Sequence, residues 1–214
     1  MSLPEGVERR DIDGQETLAT RGPPISEEAT DGAWRAWDPR RSKLAAMVAV
    51  GLDLPITAGE PVLYLGAAAG TTASHVADLA PTYAVEFAPR PARDLVAVAA
   101  DRDRLFPLLA DAREPESYAH VVEPVETIVQ DVATRDQADV ALANREFLRE
   151  DGRLALAIKA RSVDVTDDPD AVFESELDAL REGYEILDRA RLDRFHEDHL
   201  GVIARPRYCH KQNA

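Results

Sequence analysis

From Pro61 onward the chain alternates between two hydrophobic rhythms. Short runs in which nearly every position is apolar, such as "VLYLG", "TYAVEF", "LFPLLAD", "ETIVQDV" and "GRLALAIKA", read as buried strands. Between them lie stretches that read as amphipathic helices: "TTASHVADLA", "RPARDLVAVAAD", "DQADVALANREFL" and "DPDAVFESELDALREG". Two more strands, "YEILDRARLD" and "HLGVIARP", follow with no helix between them. Strands alternating with helices predict an α/β fold with a doubly wound, mostly parallel sheet, and the final pair predicts an antiparallel hairpin. Upstream, "DPRRSKLAAMVAVGL" carries Leu44, Met47, Val48 and Leu52 at helical spacing, with Asp38-Pro39 as the expected helix start. Residues 1–33 show neither rhythm. They are rich in Gly, Pro, Glu and Asp with short apolar islands such as "ETLAT", and both a small β-rich appendage and a partly disordered one fit that composition. The expected division is therefore an N-terminal appendage over 1–33, a main domain over 34–206 and a tail over 207–214.

Charge adds a setting. Forty acidic side chains stand against 25 basic ones, a net charge of −15, and the acids are spread along the whole chain. Only Lys43, Lys159 and Lys211 are lysine; the other basic residues are arginine. An acidic, lysine-poor surface reads as adaptation to high salt, where concentrated ions screen self-repulsion. Such a surface does not bind bare nucleic acid in general, so any action on RNA requires that something else deliver the RNA. The single cysteine, Cys209, excludes an intramolecular disulfide and a Cys-based zinc site. No apolar run approaches membrane-spanning length, and the first residues include Glu5, Glu8 and Asp11, unlike a signal peptide. The expected location is the cytoplasm, with no membrane association.

Candidate chemistry begins at "VLYLGAAAGTTASHV", a strand running into Gly66, a small-residue loop to Gly70, then a helix. Small residues let a ligand approach the backbone, and a helix start offers free N–H groups; the same loop in other chains only packs a strand on a helix. The next strand, "YAVEF", ends in Glu86, placed to accept hydrogen bonds from ribose hydroxyls. "LLADAR" brings Asp111 to a strand end, suited to an adenine amino group, and "VQDV" brings Asp131. Successive strands ending in acids at one sheet edge line a ligand crevice. "GAAAGT" lacks the G-x-G-x-x-G of a dinucleotide site. S-adenosylmethionine fits better, because it has no phosphate to bind and its sulfonium tolerates carboxylates.

Together, "WDPRRSKLAA", "VLYLGAAAGTTASHV", "YAVEF", "ADAR", "QDVA", "IKARSVDVT" and "FHEDHLGVI" resemble the fibrillarin family, the RNA 2′-O-methyltransferases of box C/D ribonucleoproteins, in its archaeal form. The resemblance implies a class I methyltransferase (Rossmann-like) fold with a seven-stranded, mostly parallel sheet. It implies S-adenosylmethionine as methyl donor, contacted by Thr71, Thr72, Glu86, Phe87, Asp111 and Ala112, and by the "DVAT" run Asp131, Val132, Ala133 and Thr134. It carries a catalytic set onto Lys43, Asp131, Lys159 and His199, with no metal. It implies as partners a Nop-family scaffold protein, a kink-turn-binding ribosomal-type protein, a box C/D guide RNA, and target rRNA or tRNA. A less charged protein–protein face is then expected. The chain departs from the family pattern at Ala69, usually Ser, and at Thr134, usually Gln, and shortens the segment before "TYAVEF".

Two of three lysines falling in these motifs is telling, because a lysine amine shifts its pKa and acts as a base while guanidinium stays protonated. On the resemblance Lys159 activates the ribose hydroxyl, either as a neutral base or as a cation that stabilises the alkoxide; Asp131 orients it, and Lys43 holds the nucleotide or tunes the network. A lone histidine is more often a satisfied strand residue, and His199 stands on its motif match alone. His196 reads as surface and His75 as a packing or capping residue. Two other functions compete: an S-adenosylmethionine-dependent methyltransferase acting on a protein or small molecule, and a non-catalytic assembly subunit. The Lys43–Asp131–Lys159 arrangement argues against the first, and the two lysines with the strand-end acids argue against the second.

Overall fold

The computed structural model describes residues 3–25 and 28–208; Cys209 and Lys211 lie outside the described residues. The N-terminal segment is β-rich. Strands β1 (Glu8–Ile12), β2 (Gln15–Arg21), β3 (Thr30–Asp31) and β4 (Trp34–Trp37) form an antiparallel sheet in the order β1-β2-β4-β3. Asp13 and Gly14 turn the first hairpin with φ of 55° and 77°, the left-handed pair that a two-residue turn requires to match strand twist. The sheet runs through Trp37 rather than ending at residue 33, so the expected boundary cuts off one of its own strands.

The main domain follows as α1 (Lys43–Val50), β5 (Val62–Leu65), α2 (Thr71–Leu79), β6 (Thr82–Glu86), α3 (Pro89–Ala99), β7 (Leu105–Leu109), β8 (Val125–Gln130), α4 (Gln137–Asn144), β9 (Leu148–Lys159), α5 (Ala160–Val163), α6 (Pro169–Leu180), β10 (Tyr184–Arg191) and β11 (His199–Pro206). Seven strands make one sheet in the order β10-β11-β9-β8-β5-β6-β7. Strands β9, β8, β5, β6 and β7 pair in parallel, and β11 runs antiparallel to both its neighbours. Alternation along the strands feeds two cores. Val62 and Tyr64 pack with α1, α2 and α3 on one face, while Leu63 and Leu65 pack with α4 and α6 on the other. This is the expected seven-stranded, doubly wound architecture with its closing hairpin.

Two local expectations shift. Helix α1 begins at Lys43, not at Asp38-Pro39. Asp38 instead closes a turn, accepting the N–H groups of Arg41 and Ser42 at 3.0 Å on its carbonyl and that of Arg40 at 2.8 Å on its carboxylate. Ser42 then caps the helix by accepting the Ala45 N–H at 3.2 Å. Helix α4 stops at Asn144, whose buried amide donates to the Ala112 carbonyl, and residues 145–147 make a 3₁₀ turn rather than further α-helix.

The N-terminal sheet is bolted to α2 by a buried polar network. Arg35, wholly buried, donates to Glu28 (2.8 Å), Asp78 (2.9 Å) and Ser74 (2.9 Å). Thr20 donates to Asp78 at 2.6 Å and sits 2.7 Å from Nδ1 of His75, whose ring stacks on Trp37 with centroids 5.3 Å apart. His75 is thus a packing residue. Burial pushes its pKa down to about 4, with Glu28 opposing and Arg35 reinforcing the shift. Burial alone would raise Glu28, but His75, the Ile25 N–H and Arg35 together hold it at about 2.

These shifts give stability an acid limb. Below pH 6.5 the unfolded chain takes up a proton at His75 that the folded chain refuses, so stability falls with pH, by about 3 kcal/mol at pH 4 for this one group. The Glu28 contribution is complete above pH 4.5 and is lost as pH drops toward 2. Denaturant titrations at pH 7, 5.5 and 4 in one fixed salt should show the decline, reduced in a His75→Phe variant. Equal stability of the native chain at pH 7 and 5.5 would refute it.

Candidate active site

The sheet order reverses where β5 and β8 lie side by side, and a crevice opens beyond their C-terminal ends. The two chain segments leaving those strands nearly touch. A Cβ at Gly66 (φ +83°) would lie 2.7 Å from the Asp131 carbonyl oxygen, so glycine is the residue that lets Asp131 sit there.

Asp131 holds two lysines. Lys159 Nζ is 2.8 Å from its Oδ1 and donates to its backbone carbonyl at 3.0 Å. Lys43 Nζ is 3.3 Å from Oδ1 and 3.4 Å from Oδ2. Lys159, at the end of β9, is largely buried. Burial pushes its pKa below the ordinary lysine value, Asp131 works against that shift, and Lys43 adds to it. Lys43 stands at the first turn of α1, where the helix dipole disfavours a cation and the Asp131 carboxylate offsets the cost. Its position is set by Ser42, whose hydroxyl also accepts the Trp37 indole N–H at 2.9 Å.

His199 begins β11 directly opposite Lys159 in the antiparallel register. Half-buried, it donates from Nδ1 to the Glu197 carbonyl, and burial lowers its pKa despite that bond. Its ring centroid is 5.7 Å from that of His196. His196 is not the surface residue expected: it is half-buried, and its Nε2 donates to the Pro39 carbonyl at 2.8 Å, tying the β10–β11 loop to the turn before Lys43.

Two residues with no motif of their own hold the centre. Gln137, wholly buried at the start of α4, accepts the Lys159 N–H at 3.0 Å and donates to the Lys159 carbonyl at 3.1 Å. It mimics a strand partner for the last residue of β9. Gln130, the residue before Asp131, donates to the Gln137 carbonyl at 2.7 Å. A chain of buried amides thus links the backbones that carry Asp131 and Lys159. The sequence signal was only two buried-type positions occupied by glutamine.

Beside this centre lies a cleft of about 550 Å³ lined by Glu86, Phe87, Asp111, Ala112, Val132, Ala133 and Thr134, with Gly66 and Arg113. Both Glu86 oxygens are fixed, one by the Ala68 N–H (2.9 Å) and one by the Ala88 N–H (2.8 Å), leaving lone pairs for hydroxyl groups. Ala68 reaches that bond with φ +48°. The Phe87 ring is 68% exposed, a flat apolar face at the cleft. Asp111 is held by Arg113, which lowers its pKa, at 2.6 Å; any ligand amino group competes with that guanidinium. Thr134 turns its hydroxyl to Asp136. Thr71 and Thr72 open α2 but do not line this cleft. An acid for vicinal hydroxyls, a flat apolar ring and small residues without a phosphate cradle fit an adenosyl group. Among the described residues no group of three or more His, Cys, Asp or Glu is placed to hold a metal ion.

The family model for fibrillarin matches residues 16–208. A fibrillarin-like rRNA/tRNA 2′-O-methyltransferase of Halorubrum lacusprofundi is 67% identical over 208 residues, covering 96% of this chain and 98% of that one. Among solved structures, fibrillarin in a complex with Nop5p superposes with a TM-score of 0.88 at 38% identity, covering 96% of this chain and all of the other. Aeropyrum pernix fibrillarin with natively bound S-adenosyl-L-methionine superposes with a TM-score of 0.82 at 41% identity, over 95% of this chain and all of the other. With a family model matching nearly the whole chain, and relatives that agree with it in sequence and in fold along nearly their full length, the chain belongs to the fibrillarin family.

Proposed function

We propose that this chain transfers the methyl group of S-adenosylmethionine to ribose 2′-hydroxyls of rRNA and tRNA, directed by a box C/D guide RNA. The single observation that carries the reading is Asp131, one carboxylate set between two lysines at the mouth of an adenosyl-sized cleft. Relatives with the same fold supply the rest: one is named for rRNA/tRNA 2′-O-methylation, one is bound to Nop5p and one holds the donor. A Nop-family protein is accordingly its scaffold, and we extend the assembly to a kink-turn-binding protein and the guide.

Bound in the cleft, the donor supplies an electrophilic methyl group. Glu86, immobilised by two backbone N–H groups, receives the donor's ribose hydroxyls, and Phe87 packs on its base. Lys159 takes the proton of the target 2′-hydroxyl. Its burial favours the neutral amine that this step needs. Asp131 fixes the Lys159 amine through carboxylate and carbonyl together, and Lys43 steadies the negative charge that develops on the ribose oxygen. Gln137 holds the Lys159 backbone so that the amine points at the crevice. His199 stands beside Lys159 as its register partner on β11.

Glu86→Ala should weaken donor binding by about 1–3 kcal/mol, the cost of losing a charge-assisted hydrogen-bond partner; calorimetry reads it, and unchanged affinity removes Glu86 from this role. Lys159→Ala should abolish transfer with donor affinity intact, and Lys159→Arg should not restore it. Because the base must be unprotonated, the native rate should rise with pH through an apparent pKa below that of free lysine. A rate that instead falls with pH in this range would make Lys159 a cationic stabiliser.

Gln137→Leu leaves the Lys159 N–H and carbonyl unpaired in the interior. We expect kcat to drop at least tenfold with donor affinity retained, and the pH–rate curve to shift as the amine moves. A curve of unchanged shape and midpoint would mean that the clamp serves stability only. The whole reading is tested by incubating labelled donor and a target RNA with the chain, with and without the Nop-family scaffold, the kink-turn protein and a guide. Single-site 2′-O-methylation that appears on assembly is expected. Efficient single-site transfer by the isolated chain refutes delegated recognition, and labelling of protein or a small molecule instead of RNA refutes the function.

A further inference from the structure

A second concavity lies on the N-terminal sheet, outside the cleft and the lysine pair. It is a groove of about 1280 Å³. Its lining mixes Ile12, Leu18 and Ala36 from the sheet and Ala49 from α1 with the polar Gln15 and Thr17. Its rim carries four arginines: Arg9 from β1, Arg40 and Arg41 from the turn before α1, and Arg194 from the β10–β11 loop.

In a chain of net charge −15, four arginines on one rim are a local concentration of positive charge. Some exposed arginines elsewhere, such as Arg149, Arg161, Arg191 and Arg205, lie against carboxylates, while others, such as Arg90, Arg93 and Arg135, stand apart on the surface without an ion pair among the described residues. Arg40, Arg41 and Arg194 form no ion pair among the described residues. The groove's three acids are already engaged. Glu28 is on buried Arg35, Glu16 faces Arg9 at 3.9 Å, and Asp38 receives the Arg40 N–H. Beside the free guanidinium of Arg194, 5.2 Å from its ring centroid, lies the Phe195 side chain, a flat surface on the same wall. Three unpaired, forked cations on the rim of one groove match the chemistry of a ribose-phosphate strand, whose phosphates take the cations.

The groove is also joined to the reacting centre. Its two arginine-bearing walls are the segments that continue into Lys43 and into His199, and the His196–Pro39 hydrogen bond ties them together. We propose that this groove is the seat of the target RNA backbone beside the methylated nucleotide, with Arg40, Arg41 and Arg194 contacting phosphates. The proposal rests on the function given above and adds to it that the N-terminal sheet is part of the substrate site. Phosphate contacts position a strand without reading its sequence, which agrees with sequence being left to a guide.

The test uses the full chain with donor bound. A fluorescently labelled single-stranded oligoribonucleotide is titrated at low salt and over a salt series, with the native chain and with the Arg40→Ser/Arg41→Ser/Arg194→Ser variant. All three side chains are exposed, and calorimetry of donor binding checks that the variant is folded. Expected are a loss of RNA affinity of tenfold or more in the variant, and a fall of about 2 in the slope of log affinity against log salt, from three phosphate contacts of about 0.7 each. Donor affinity should not change. Equal RNA affinity and slope in the two proteins would overturn the proposal, as would a variant that keeps RNA but loses the Nop-family scaffold, since the groove would then be a protein interface. Methyl transfer is measured separately: its absence from RNA riboses in the assembled native particle, with the affinity difference still present, would refute the proposed function and leave the groove standing.

Discussion

One carboxylate between two ammonium groups is the constraint on which the site depends. Lys43 and Lys159 repel each other in a half-buried crevice, and only Asp131 makes their proximity tolerable. Each supporting contact serves that arrangement from a different element. Ser42 caps α1 at the residue before Lys43, Gln137 pins the end of β9, and Gly66 removes the Cβ that would push the Asp131 backbone away. In a half-buried crevice a shift of either charge changes both the geometry and the proton affinity of Lys159.

The order of strands and helices was legible because strands buried on both faces read as unbroken apolar runs and their helices alternate with them in register. Leu63 and Leu65 face one core and Val62 and Tyr64 the other, so "VLYL" could hardly be anything else. The acids Glu86, Asp111 and Asp131 were legible for the same reason, as polar punctuation at the ends of apolar strands. The N-terminal sheet was less so. Its signal was there in Asp13-Gly14, the dipeptide of a tight hairpin turn, but its strands carry charges on their outer face and a Glu- and Pro-rich connection runs between β2 and β3. What the sequence could not display was pairing at long range. Gln137 reaches Lys159 across 22 residues, and His196 reaches Pro39 across 157. No periodicity encodes such contacts. Nor does a motif reveal that Arg113 already occupies Asp111, since that follows from the turn after β7.

The surface obeys a different economy from the interior. Exposed arginine–carboxylate pairs such as Arg189–Glu174 and Arg205–Glu185 contribute little each, less still in concentrated salt, yet they hold the excess of acids in a mixed pattern. Inside, a single arginine answers two carboxylates and is indispensable because its partners have no water.

The Arg35 network also dictates the order in which this protein is completed as it leaves the ribosome. Arg35 and Thr20 emerge early, whereas Ser74, His75 and Asp78 follow 39 to 58 residues later. At usual synthesis rates of about 5–20 residues per second, that is an interval of roughly 2–12 seconds. During that interval Arg35 has Glu28 but not yet Asp78 or Ser74, so its guanidinium keeps part of its hydration until α2 arrives. The N-terminal sheet is thus the first part made, yet its buried hydrogen bonds are complete only once the helix after the glycine loop has been synthesised.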